Sequence, residues 1–159
     1  MRPFNSPLEC GLRTLFVLNA SQHMRMDLQR IVAYDYLLVH SGDIDFGPES
    51  LHPAVPYRGV ELLVKRDLVR AGLNQLISKE LVRIEFVPEG FLYGATELTA
   101  AFVSLLKSPY AIALKSRAEW VANHFRSFTD GDLDAYITQN VGKWGAEFET
   151  LTAIDSLEL

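Results

Sequence analysis

A single cysteine, Cys10, leaves this 159-residue chain without internal disulfides and without any multi-cysteine metal site. No stretch approaches the ~18 consecutive apolar residues of a spanning helix. Apolar runs such as Leu37-Leu38-Val39 and Ala100-Ala101-Phe102-Val103 are short and are interrupted by polar residues at helical spacing. Neither G-x-x-x-x-G-K-[S/T] nor G-x-G-x-x-G occurs, so no glycine-rich phosphate cradle is written here. The histidines stand at positions 23, 40, 52 and 124, with no H-x-x-x-H pair to start a zinc site. A cationic surplus is missing too. The formal charge of −5 has the wrong sign for a chain that grips nucleic acid with its whole surface. The opening residues carry no hydrophobic signal-peptide centre, and the expectation is a soluble, cytoplasmic protein.

What is present suffices for a core. Hydrophobic residues make up 48% and aromatics 11%, which excludes disorder for most of the length. Ser6-Pro7 predicts a helix start, with Ser6 as N-cap, Pro7 in the first turn and Glu9 near the positive end. Leu8, Leu12, Leu15 and Phe16 give it an apolar stripe, and it should stop near Ala20-Ser21. Asp27 caps a second helix with Leu28, Ile31, Val32, Leu38 and Val39 inward, closing at Ser41-Gly42. His40 there suits the negative end of the helix dipole. Three prolines and two glycines between Gly42 and Tyr57 forbid a helix or central strand. That loop also holds Ile44, Phe46, Leu51, Val55 and Tyr57, which either pack back on the domain or wait for a partner.

A third helix spans Gly59 to Lys79, with Arg66, Arg70 and Asn74 on one face. An alternating run, Arg83-Ile84-Glu85-Phe86-Val87, reaches a turn at Pro88-Glu89-Gly90. A second extended run, Phe91 to Ala95, leads into Thr96-Glu97 and another helix. Helix, two-stranded hairpin and helix in this order predict a mainly α winged helix-turn-helix core. Three C-terminal helices follow, over Glu97–Lys107, Pro109–Phe128 and Asp130–Val141. The domain expectation is one winged-helix unit with its helical extension over 1–145, and a fraying acidic tail over 146–159.

Candidate chemistry is sparse. Read as a calcium loop from Asp43, the segment puts Gly47 at position 5, Pro48 where glycine is required and Ala54 at position 12, so the match fails. Asp43, Asp45 and Glu49 read as solvated loop carboxylates. His40-Ser41 is not a nucleophile–base pair, because adjacent residues on a helix point about 100° apart and no G-x-S-x-G elbow exposes the serine. Cys10 has Glu9 rather than a cation beside it and reads as an inert buried thiol. Asp35, on a largely apolar helix, needs a buried partner, for which Arg13 and Arg58 qualify. No catalytic residues, metal or cofactor are expected, and the chain reads as a non-enzyme.

Winged helices either dock on DNA or hold protein partners. Between Arg58 and Arg83, six cations (Arg58, Lys65, Arg66, Arg70, Lys79, Arg83) face three acids (Glu61, Asp67, Glu80). Lys65, Arg66, Arg70, Asn74, Lys79 and Arg83 are therefore the candidate DNA-facing residues. Against DNA stand the long loop in place of a three- or four-residue turn and the acidic Glu89 at the wing tip.

The motifs Asn5-Ser6-Pro7-Leu8-Glu9-x-Gly11-x-Arg13, Asp35-Tyr36-Leu37-Leu38-Val39-His40-Ser41-Gly42-Asp43, Gly47-Pro48-Glu49-Ser50-Leu51-His52-Pro53 and Pro56-Tyr57-Arg58 resemble the middle component of ABC three-component systems. These are prokaryotic conflict systems of the Lamassu type, and the second middle-component class is the nearest. The resemblance covers Asn5 to Thr99. It implies a non-enzymatic adaptor in anti-phage or anti-plasmid defence, linking an SMC- or Rad50-like ABC ATPase to an effector that is often a nuclease. DNA would be met as part of that complex, no membrane is involved, and a homo-oligomer stays open. Phe46, Leu51, His52, Tyr57 and Arg58 are the candidate partner contacts, since aromatics dominate interface energetics. The alternative reading is a DNA-binding transcription regulator acting through Arg66, Arg70 and Asn74.

Overall fold

The computed structural model describes residues 6–22, 24–53 and 58–140. Tyr57 and the acidic tail from Gly145 lie outside them, as do the side chains of residues 58–60. Helix α1 (Pro7–Ala20) starts where the Ser6 hydroxyl accepts the Glu9 N–H at 3.1 Å. Helix α2 (Leu28–Val39) starts where Asp27 accepts the Arg30 N–H at 2.8 Å. A 3-10 turn (Ser41–Asp43) and the following loop lead to α3 (Arg58–Ile77). Strands β1 (Val82–Val87) and β2 (Gly90–Ala95) form the wing, antiparallel from Val82↔Ala95 to Val87↔Gly90. Helices α4 (Glu97–Leu105), α5 (Pro109–His124) and α6 (130–140) follow. The fold is mainly helical, with a helix-turn-helix-like core of α2, the 3-10 turn and α3, a two-stranded wing and added C-terminal helices.

Two helix ends and one bridge depart from the sequence reading for a visible reason. α2 stops at Val39 rather than at Ser41-Gly42, and His40, not Gly42, is its C-cap. The Val39 carbonyl accepts the N–H groups of both Leu51 and His52 at 3.0 Å, so the returning loop replaces the next helical turn. α5 stops at His124 instead of Phe128. The buried Arg30 guanidinium takes the carbonyls of Phe125 at 3.2 Å and Phe128 at 2.9 Å, a cation at a helix C-terminus. Met26 joins the wing by exchanging both backbone hydrogen bonds with Tyr93 (2.9 and 2.8 Å). No alternation marks that one-residue strand in the sequence.

The core runs from Leu15 and Leu18 of α1 through Ile31, Leu37 and Leu38 of α2 to Val69, Leu73 and Leu76 of α3, and on to Phe125, Leu133 and Ile137. α1 lies at its centre, and its tightest neighbour is α3. Gly11 and Gly72 face each other there without side chains. A Cβ on Gly72 would stand 2.3 Å from the Pro7 carbonyl oxygen and 2.7 Å from the Gly11 nitrogen. Backbone cannot yield as a side chain does, so Gly72→Ala must push the two helices apart. The expected cost is about 2 kcal/mol by urea unfolding, within the usual range for overpacking. Gly131→Ala, whose Cβ would meet only Thr129 Oγ1 at 3.9 Å, serves as the neutral control.

Candidate functional site

Among the described residues, a buried network of ionisable groups is built by three helices together. Asp35 of α2 is fully buried. Its Oδ1 accepts from Arg13 Nε of α1 at 2.8 Å, and its Oδ2 accepts from Arg13 Nη2 at 3.1 Å and from Lys65 Nζ of α3 at 3.0 Å. Lys65 Nζ lies 3.6 Å from Glu61 Oε1, one turn earlier on α3. His40 Nε2 meets the same Glu61 oxygen at 3.0 Å. Two carboxylates and two cations therefore balance inside the protein. A buried charge is tolerated only in such company.

Burial alone would raise the Asp35 pKa, but the Arg13 and Lys65 charges outweigh it and hold the carboxyl well below the usual carboxylate range. Glu61 moves the same way: burial pushes it up, and the hydrogen bond and charge of His40 pull it further down. The Cys10 thiol is pushed up by burial and by Asp35, although Arg13 Nη2 donates to its sulfur at 3.3 Å. This is the opposite of an activated thiol. His52 sits over the network with its Nε2 2.6 Å from the Tyr110 hydroxyl of α5. Desolvation first, and then the Arg13 and Lys65 cations, lower its pKa to about 4.

The loop leaving α2 is tied to its own root. The Ser41 hydroxyl donates to the carbonyls of Pro48 (2.9 Å) and Glu49 (3.2 Å), and the Ser50 hydroxyl accepts from the Gly42 N–H at 2.9 Å. Ser41 thus has a structural job, and Asp43 accepts from the Tyr36 hydroxyl at 3.1 Å. Ile44 is buried, Leu51 is half-buried against the core and His52 is buried. Phe46 is the exception. It is fully exposed and held in the left-handed backbone region, at φ 62°.

The candidate cations separate into two groups. Lys65 departs from the expectation of a DNA-facing residue: it is 2% exposed and committed to Asp35 and Glu61. Its burial could have been anticipated from Asp35, whose two oxygens accept more hydrogen bonds than Arg13 alone supplies. Arg66, Arg70, Asn74, Lys79 and Arg83 are exposed. Arg70 pairs with Asp67 at 3.0 Å. The outward stripe of α3 is mixed, because Leu63 (72% exposed) and Asp67 share it with Arg66, Arg70 and Asn74, and Val64 flanks it. Among the predicted partner contacts whose side chains are described, Phe46 is fully presented to solvent and Leu51 and His52 are packed, while Arg58 opens α3. Among the described residues, no three His, Cys, Asp or Glu are grouped to hold a metal ion, and no helix is long and apolar enough to cross a membrane.

Asp35→Asn leaves Arg13 without a counter-charge and Lys65 with Glu61 alone, and should cost about 3–5 kcal/mol in chemical denaturation. The native state keeps His52 neutral down to about pH 4, whereas the unfolded chain protonates it near 6.5. The unfolded state therefore binds the extra proton between those values, and stability falls as the pH is lowered through that window. The expected loss is roughly 1–3 kcal/mol by urea midpoints. The slope should flatten in His52→Gln, which cannot titrate.

Comparison with curated proteins and with solved structures finds no match. Comparison with protein families does: the family described as "ABC-three component (ABC-3C) system Middle Component 2" matches residues 3–147. The role that goes with this match is that of a non-enzymatic adaptor, the middle component of an ABC three-component defence system. With nearly its whole length covered, the chain belongs to the ABC-three component system Middle Component 2 family.

Proposed function

We propose that the chain performs its middle-component role by docking on an SMC- or Rad50-like ABC ATPase and coupling it to an effector, often a nuclease. The outward stripe of α3 and the loop at Phe46 are the docking surface. The observation that carries this reading is the make-up of that stripe. A helix that reads bases presents Arg, Lys, Asn or Gln to the groove. Here Leu63 and Val64 are exposed at its start, and Asp67 takes up the charge of Arg70. Apolar, cationic and anionic groups side by side suit a protein partner better than a polyanion. Phe46 supports the same reading, since a fully exposed aromatic in a disfavoured backbone region contributes nothing to the isolated fold.

Leu51 and His52 act indirectly, by anchoring the loop that presents Phe46. Tyr57 and Arg58 belong to the proposed surface through their place between the loop and α3. Arg66, Asn74, Lys79 and Arg83 are free to meet DNA when the complex brings it near, which makes DNA a ligand of the assembly.

The test separates fold from docking. Phe46→Gly relieves the left-handed strain and should leave stability within about 1 kcal/mol of wild type. Co-purification with the co-expressed ABC ATPase should weaken on the order of tenfold or more, as for loss of an interface anchor. Capture by the wild type should survive high salt. If the isolated chain instead binds DNA sequence-specifically at nanomolar concentration, with a steep salt slope lost in Arg66→Glu, the docking reading fails in favour of a transcription regulator.

A further inference from the structure

The wing has one closed edge and one open edge. Tyr93 of β2 exchanges both its backbone hydrogen bonds with Met26 (2.9 and 2.8 Å), so its N–H and C=O point away from β1. Ile84 stands opposite Tyr93 in the register. In an antiparallel pair the two residues of such a position both face outward, whereas their neighbours bond across. Arg83, Glu85 and Val87 therefore bond to β2. Val82, Ile84 and Phe86 turn their N–H and C=O groups to the outer side of β1, where they have no partner among the described residues. Among the described residues no proline, bulge or covering helix blunts β1, and its only edge charges, Arg83 and Glu85, are of opposite sign.

We propose that a second copy of this chain pairs with that edge, β1 against β1 antiparallel about a two-fold axis at Ile84, joining the two wings into one sheet. The β1 sequence is self-complementary about that centre. Ile84 meets its own copy in a hydrogen-bonded pair, and Val82 meets Phe86 on either side. About six backbone hydrogen bonds result. Arg83 then stands opposite Glu85 of the other copy, twice. These are non-hydrogen-bonded positions, where side chains come closest. Charge also rejects the neighbouring registers. Centring on Glu85 would set carboxylate against carboxylate, and centring on Arg83 guanidinium against guanidinium. Centring on Phe86 would bring Pro88, which has no N–H, into the ladder. Glu85 already meets Arg25 on its own chain, so the second arginine completes a charged row across the seam. The two-fold also covers Phe86, which is 74% exposed and stacked edge-on against Phe91 at 5.1 Å.

The arrangement is isologous and closes on itself, so it makes dimers and not fibres. It leaves the outward stripe of α3 and Phe46 available to another partner, because neither contributes to the β1 edge.

Sedimentation of the full chain between about 1 and 100 µM tests the proposal, with a concentration-dependent dimer expected. Arg83→Glu sets like charges across both flanks and should raise the dimer dissociation constant by tenfold or more. The same holds for Glu85→Arg. The double variant Arg83→Glu/Glu85→Arg restores opposite charges and should recover most of the loss, with thermal melts confirming folding of all three. A wild type that stays monomeric throughout overturns the proposal, including the case in which a strand of the ATPase takes the edge. So does a dimer indifferent to either reversal, or one that the double variant fails to restore.

Discussion

One carboxylate holds the architecture together. Asp35 is shut away from water between Arg13 and Lys65, so three helices far apart in sequence must arrive together or leave a bare charge inside. Hydrophobic contacts would tolerate some sliding of α1, α2 and α3 over one another. The forked Arg13 contact does not, because both of its nitrogens are aligned on one carboxylate. Such a pair adds little net stability over apolar packing. Its contribution is to select one arrangement of the bundle. Glu61 and His40 extend that selection to the end of α2, and His52 and Tyr110 carry it to α5.

The network also explains why so many chemically suggestive residues form no site. His40, Ser41, Asp43, His52 and Cys10 lie close to one another, and in isolation each could begin a mechanism. Each is engaged in holding a segment: His40 on Glu61, Ser41 on the loop carbonyls, Asp43 under Tyr36, Cys10 beneath Arg13. What the described residues offer outward is different in kind, namely Phe46 on a tied loop, a mixed helix face and a strand edge that none of them pairs with. These are features of a component that is held by others, in keeping with its family.

Much of this was legible in the sequence because it rests on local rules. Ser6 and Asp27 announced helix starts, and the alternation from Arg83 to Val87 placed the wing. The need of Asp35 for a buried partner followed from the cost of a carboxylate on an apolar helix, with Arg13 and Arg58 both eligible, and the structure places Arg13 there. What escaped depends on distant partners. Val39 ends α2 because a loop returns to it, and Arg30 ends α5 from a helix nearly a hundred positions earlier. Lys65 and Arg66 are adjacent in sequence and opposite in fate, because α3 turns Lys65 onto Asp35 and Arg66 to solvent. The loop residues split for the same reason: Ile44 found a place in the core, and Phe46 did not.

The bare contact of Gly11 with Gly72 has a mechanical meaning. Where side chains separate two helices, a push on one is absorbed by rotamer changes in between. Here backbone rests on backbone, with nothing to deform. A partner that leans on the outward stripe of α3 near Arg66 and Arg70 acts one turn from this fulcrum, and α1 must move with α3 as a single lever. A displacement of α3 near that contact therefore reaches α1 as a movement of backbone rather than as a change of rotamer.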